Sequence, residues 1–210
     1  CGAFASVEGL VKRAGLGTHD LRCLSGADAL LSLAGRRPDA VWETAGVDTR
    51  PTEMLRTART REDPGSFGGP TEGTEVADDY ASMGLTLRRH PLALIRHRLS
   101  ALGVRTAEEL RTRARDRDRV MASGIVTHRQ QPSTSKGVIF ATLEDESGTV
   151  NIIVWPQLAE AQRSTLRQSR LLTVQGTWQS EKGVHSLVAL QLWNHTDMLG
   201  DLRVSSRDFR

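Results

Sequence analysis

The 210 residues, 38% of them apolar and 25% charged, suit one domain or two small ones with modest cores. Twenty-eight basic against 25 acidic residues leave a formal charge of +3 and an isoelectric point near 9.3, a mild hint of an acidic partner. Two cysteines, Cys1 and Cys23, form no CxxC pair, and no run of 18 apolar residues or signal-peptide core occurs. A zinc knuckle, a disulfide framework, membrane insertion and secretion are therefore unsupported, and a reducing cytoplasm fits. The positive excess lies after residue 77. Only Lys12, Lys136 and Lys182 are lysines, an arginine bias that a GC-rich genome also produces. The opening on Cys1 rather than Met suggests a fragment.

Taken in order, residues 4–14 put Phe4, Val7, Leu10, Val11 and Ala14 at helical spacing, and Gly15-Leu16-Gly17 breaks the helix. A second helix begins at Thr18 or Asp20 as N-cap and buries Leu21, Cys23 and Leu24. Two short helices around such a turn make a helix-hairpin-helix candidate. Gly15 and Gly17 would let a nucleic-acid phosphate approach the backbone, where the second helix offers unpaired N–H groups. A plain turn is the other reading. Short helices follow over 27–34 and 38–45, with Trp42 expected in the core. The region 1–46 is taken as one unit and 47–77, which contains DPGSFGGPTEG, as a linker. A helical connector over 78–118 carries a buried stripe of Leu92, Ile95 and Leu99, with Arg96 and Arg98 on a solvated face. Residues 108–119 alternate charge signs along an exposed helix.

After Arg119 the period changes to that of strands: 120–128, 138–143, 150–155, 171–179 and 184–193, with a helix over 156–167 after the third. Ser147-Gly148 closes one hairpin and Lys182-Gly183 another. This order is that of an oligonucleotide-binding (OB) barrel over 119–200, followed by a tail, 201–210. In such barrels the face of strands 2 and 3 and the neighbouring loops bind single strands. The candidate cations are Arg129, Lys136 and Lys182, and Asn151 is a polar residue within an apolar strand. Phe140 and Trp155 are either stacking platforms or barrel core.

Catalytic patterns are missing. Asp116 and Asp118 sit in an arginine-rich helical segment, and Glu144-Asp145-Glu146 reads as a turn. The six histidines lack ligand-spaced companions, so no metal or cofactor site is expected in this chain. The lysine contexts KRAG, KGVI and KGVH are not that of a nucleotidyl-transferring ligase, and no P-loop or GxSxG elbow occurs.

The runs DDYASMGLTLRRHP (78–91) and SGIVTHRQQPSTSKGVIFATLEDESGTVNIIVWP (123–156) resemble the C-terminal part of C-family bacterial DNA polymerases, the DNA polymerase III alpha type. The form RQQPSTSKGVIFATLEDE and the ending Ser206-Arg207-Asp208-Phe209 are similar to the error-prone, translesion branch. That resemblance implies a nucleotidyltransferase whose magnesium-dependent catalytic domain precedes this region, and none of whose catalytic aspartates has a match here. It implies a tandem helix-hairpin-helix region on duplex backbone and an OB domain near single-stranded template. It also implies accessory mutagenesis proteins as partners and, through them, the sliding clamp. A clamp-like peptide, Gln168-Ser169-Arg170-Leu171-Leu172, runs into a strand and reads as structural.

The expectation is an α+β chain, an N-terminal helix-hairpin-helix region followed by a five-stranded OB-fold β-barrel. It would position single-stranded template and primer-template duplex and be inactive alone. The alternative is an OB-fold docking module for accessory proteins, which a weak response of binding to salt would favour.

Overall fold

The computed structural model describes residues 4–47, 69–181 and 183–200, with the backbone of 207–209. Contacts divide the chain into two compact units, Cys1–Leu85 and Thr86–Arg210. Lys182 and most of the expected linker lie outside the described residues.

In the first unit, α1 (Val7–Ala14) starts at Ser6, whose hydroxyl accepts the Gly9 N–H at 3.1 Å. It stops at Gly15, where φ is +65° and glycine avoids the Cβ penalty. There the N–H groups of Gly15 and Leu16 both reach Val11 O, at 2.9 and 3.3 Å. The chain turns directly into α2 (Thr18–Gly26), followed by α3 (Leu31–Ala34), α4 (Arg37–Gly46) and α5 (Glu72–Met83). Val7, Val11, Leu21, Leu30 and Ala40 form the core.

Four local expectations change here. The helix expected over 27–34 shrinks to one turn, and Cys23 is exposed. Trp42 is 48% exposed, because α4 buries Arg37, Ala40 and Thr44 and so turns Trp42 outward. Arg37 is buried because its guanidinium meets the buried Asp79 carboxylate of α5 and donates to Glu75 O at 3.3 Å. A charge there is tolerated only when paired. That α5 begins at Glu72 places helix within the last residues of the expected linker.

In the second unit, α6 (Pro91–Ala101) and α7 (Ala107–Arg113) precede β1 (Arg119–Gln130), β2 (Ile139–Asp145) and β3 (Gly148–Val154). Then come α8 (Pro156–Ala161), α9 (Arg163–Gln168), β4 (Leu171–Glu181), β5 (Val184–Asn194) and the short β6 (Arg207–Phe209). The hydrogen-bonded order is β2-β3-β5-β4-β1-β6, and β1 also pairs with β2, which closes a five-stranded barrel. The chain is α+β, helices followed by this barrel.

Closure depends on β1 serving two neighbours. Residues 119–125 pair with β4 and residues 125–130 with β2, the two ladders meeting at Ile125. A bulge between Val126 and His128 bends the strand there. Gly124 permits the crossing, since a Cβ on it would lie 2.7 Å from Leu143 Cβ and 2.8 Å from Glu144 N. Gly176 does the same between β4 and β5, where a Cβ would stand 2.2 Å from Val188 O. Inward residues such as Leu143, Ile152, Val154, Leu172, Val174, Trp178 and Leu187 fill the barrel, and Ala159 and Leu166 of α8 and α9 pack on the same core. The expected single helix over 156–167 is broken at Gln162, whose side-chain amide exchanges two hydrogen bonds with the Leu192 backbone at 2.9 and 3.0 Å.

Arg96 is not on a solvated face. Its guanidinium grips the Glu146 carboxylate through two nitrogens, one contact at 2.7 Å, and reaches Asp145 at 3.5 Å. Asp145 is itself buried and accepts from Ala107 N at 2.8 Å and Ser147 N at 2.7 Å. The expected acidic turn therefore also anchors α6 and α7 to the β2–β3 hairpin. Asp116 and Asp118 lie after α7 rather than in a helix. Asp118 accepts from Arg115 N and Asp116 from Ser180 N, at 2.9 and 3.0 Å. Among the described residues, no helix is long and apolar enough to cross a membrane.

Candidate nucleic-acid interface

Alternation along β2 and β3 sends Ala141, Leu143, Val150, Ile152 and Val154 inward and leaves Phe140, Thr142, Asn151 and Ile153 on the outer face. Trp155, two residues beyond Ile153, follows β3 as the N-cap of α8. Phe140 is 41% and Trp155 55% exposed, so neither belongs to the barrel core. The loop 131–138 carries Lys136 at φ +49°, exposed and without an ion-pair partner among the described residues. A one-turn helix, Ser133–Ser135, shapes that loop, and the Ser135 hydroxyl lies 2.6 Å from Pro132 O.

A groove of about 340 Å³ runs over this face. His128 and Gln130 of β1, Phe140 and Thr142 of β2, Asn151 and Ile153 of β3 and Ser186 of β5 line it, with Ala141 and Ile152 beneath. Pairing sets them in two rows across the strands. Gln130 opposes Phe140 and Phe140 opposes Ile153, while His128 opposes Thr142 and Thr142 opposes Asn151. Of the residues singled out from sequence, Phe140 and Asn151 share the groove, and Trp155 and Lys136 stand at exposed positions beyond it. His128, Gln130 and Ser186 were missed. The run His-Arg-Gln is polar throughout, so nothing in it marks which side chains face outward.

Of the two proposed cations that are described, Arg129 differs from Lys136. Between two outward neighbours it points inward, 9% exposed. Its Nε donates to Leu166 O at 2.8 Å and its Nη2 to Ser169 O, the last turn of α9 and the residue after it. It holds α9 on the barrel, and its guanidinium is unavailable to solvent. The stretch 168–172 is likewise internal at Ser169, Leu171 and Leu172.

In the first unit α1 and α2 flank the Gly15-Leu16-Gly17 turn. Gly15 has open space around it, and the Gly17 N–H, one of the donors expected to meet a phosphate, already donates to Asp20 Oδ2 at 2.9 Å. An arriving phosphate would compete with that carboxylate. Unassigned by sequence reasoning, Arg163, Arg167 and Arg170 on and after α9 are exposed and have no ion-pair partner among the described residues.

At the far end of the β2–β3 hairpin the electrostatics are structural. Burial raises the Glu146 carboxyl, but the hydrogen-bonded Arg96 guanidinium outweighs it and holds the group below its ordinary value. Burial pushes the His90 imidazole below its ordinary value against the opposing pull of Glu144, Glu146 and Asp145. No group of three or more potential metal ligands occurs among the described residues.

Comparison with known proteins agrees with this geometry. A family described as an OB-fold nucleic acid binding domain matches residues 120–194. Proteins named Error-prone DNA polymerase are similar over nearly the whole chain. That of Ralstonia nicotianae is 47% identical over 98% of this chain, that of Burkholderia mallei 46% over 99% and that of Methylococcus capsulatus 44% over 100%. The chain spans about a fifth of the length of these curated relatives, 19 to 20%.

Proposed function

Because the chain is homologous to a C-terminal piece of the error-prone DNA polymerases, we propose that it is the part of such an enzyme that positions single-stranded template during translesion synthesis. The observation that carries this is the outer face of β2 and β3, where Phe140 and Trp155 stand exposed beside a loop bearing Lys136. Flat side chains stack on bases of any sequence, and a nearby cation follows the phosphates. The α1–α2 hairpin would take the backbone of the primer-template duplex. The chemistry itself, with its magnesium, would belong to regions outside this chain. Accessory mutagenesis proteins, and through them the sliding clamp, are the partners this role calls for.

The test is binding of the 210-residue chain to a fluorescent single-stranded oligonucleotide across a salt series. Lys136→Ala should lower the slope of log K against log salt by roughly 0.7, the share of one phosphate contact on a single strand. Phe140→Ala should weaken binding by about 1–3 kcal/mol with the slope unchanged. Absence of binding at low salt would refute the proposal and leave the barrel as a protein-docking module.

A further inference from the structure

The geometry points to the groove as a subsite that reads a nucleobase, with the amides of Gln130 and Asn151 as its specificity-determining groups. This rests on the single-strand reading above and adds what the groove recognises. None of its lining residues is Lys, Arg, Asp or Glu. A phosphate would therefore find no permanent countercharge there, whereas an uncharged aromatic ring would not need one. In the row Gln130–Phe140–Ile153, Phe140 and Ile153 offer an apolar surface centred on the exposed Phe140 ring, and Gln130 places an amide at the end of the row. The adjacent row His128–Thr142–Asn151 lies two residues along the strands, roughly 7 Å away, and consists of hydrogen-bonding side chains. A base stacked on Phe140 would thus present its edges to Asn151 in this second row and to Gln130, which opposes Phe140 on β1.

The amides match what a base edge requires. Each supplies two donors and an acceptor, which pair with the adjacent donor and acceptor of an unstacked base. Gln130 and Asn151 are both exposed, and among the described residues neither side chain has a hydrogen-bond partner. They are not held by the fold, in contrast to Gln162, whose amide is consumed by the Leu192 backbone. The cation that follows the phosphates, Lys136, is on the loop rather than in the groove. Base recognition and phosphate attraction are thereby assigned to different residues and separate experimentally.

The experiment uses the 210-residue chain with fluorescein-labelled 12-mers of dT, dC and dA and an abasic 12-mer of equal charge, each across a salt series. The abasic strand should bind about tenfold more weakly than the best base-bearing strand, in keeping with base stacking of ~1–3 kcal/mol, at the same salt slope. The wild type should rank the three base-bearing strands. Asn151→Ala and Gln130→Ala should compress that ranking to within about twofold, the range left when edge discrimination of ~1–3 kcal/mol is removed. Asn151→Gln should restore part of it, and Lys136→Ala should lower the slope while keeping the ranking. Equal affinity for abasic and base-bearing strands, or a ranking that survives both alanine changes, would overturn the inference and leave single-strand binding intact. Failure of every strand to bind at low salt would instead overturn the single-strand reading, and this inference with it. Thermal melts of the variants, both at exposed strand positions, confirm that folding is unchanged.

Discussion

Arg129→Ala separates the structural use of a cation from a nucleic-acid use. The guanidinium is buried and donates to two carbonyls, Leu166 O and Ser169 O, that end α9. Hydrogen bonds to charged groups contribute about 1.5–3 kcal/mol each, and the buried carbonyls left behind would lose their charged donor. Water entering the vacated space recovers part of this, so a net loss of about 3 kcal/mol is expected. With a urea m-value of about 2 kcal/mol/M, the unfolding midpoint of the barrel would fall by about 1.5 M. Fluorescence of the buried Trp178 reports that transition. Below the transition, the slope of log K against log salt for single-stranded DNA should match the wild type. A midpoint shift under about 0.3 M together with a slope reduced by about 0.7 would refute the reasoning and make Arg129 a phosphate ligand.

Two further outcomes follow from the same structure. Gly176→Ala would drive a Cβ to within 2.2 Å of Val188 O, a clash with backbone that cannot be relieved by a rotamer. A loss of more than about 3 kcal/mol, or failure to fold, is expected in a thermal melt, whereas Gly183→Ala, with open space around it, should cost only about 1 kcal/mol for its φ of +81°. His90 Nδ1 accepts the Leu92 N–H at 3.2 Å and so caps α6 only while that nitrogen is unprotonated. Its folded pKa lies below the ordinary 6.5, so the unfolded chain takes up the proton first, and stability falls as pH drops below about 6.5. His90→Asn keeps a capping acceptor without this titration, and should flatten that part of the stability-against-pH curve; an unchanged curve would contradict the assignment.

The barrel was legible because its strands alternate cleanly. Ala141 and Leu143 face in while Phe140 and Thr142 face out, and Val150, Ile152 and Val154 face in around Asn151. The same alternation indicated Phe140 and Asn151 as neighbours on one face, although it could not choose between core and surface for Phe140. That choice depends on strand curvature and on what covers the sheet, which no local pattern encodes. The bulge between Val126 and His128 hid the inward turn of Arg129, since a bulge resets which residues face out in a wholly polar run. Arg96 was misplaced because its partner, Glu146, is 50 residues away and the pair forms only after the hairpin folds. Trp42 was misplaced because the buried face of α4 is set by the charged Arg37, which apolar periodicity cannot reveal. Helix ends with local chemistry, such as Ser6 and Gly15 around α1, were more accessible, since their signals lie within a few residues.

The most direct test of the central claim is photo-crosslinking of the chain to a single-stranded oligonucleotide carrying 5-iodouracil, with the attached peptide identified by mass spectrometry. Adducts are expected at Phe140 and Trp155, reduced in the Phe140→Ala and Trp155→Ala variants respectively. Adducts confined to the first unit, or to barrel residues away from β2 and β3, would contradict that claim.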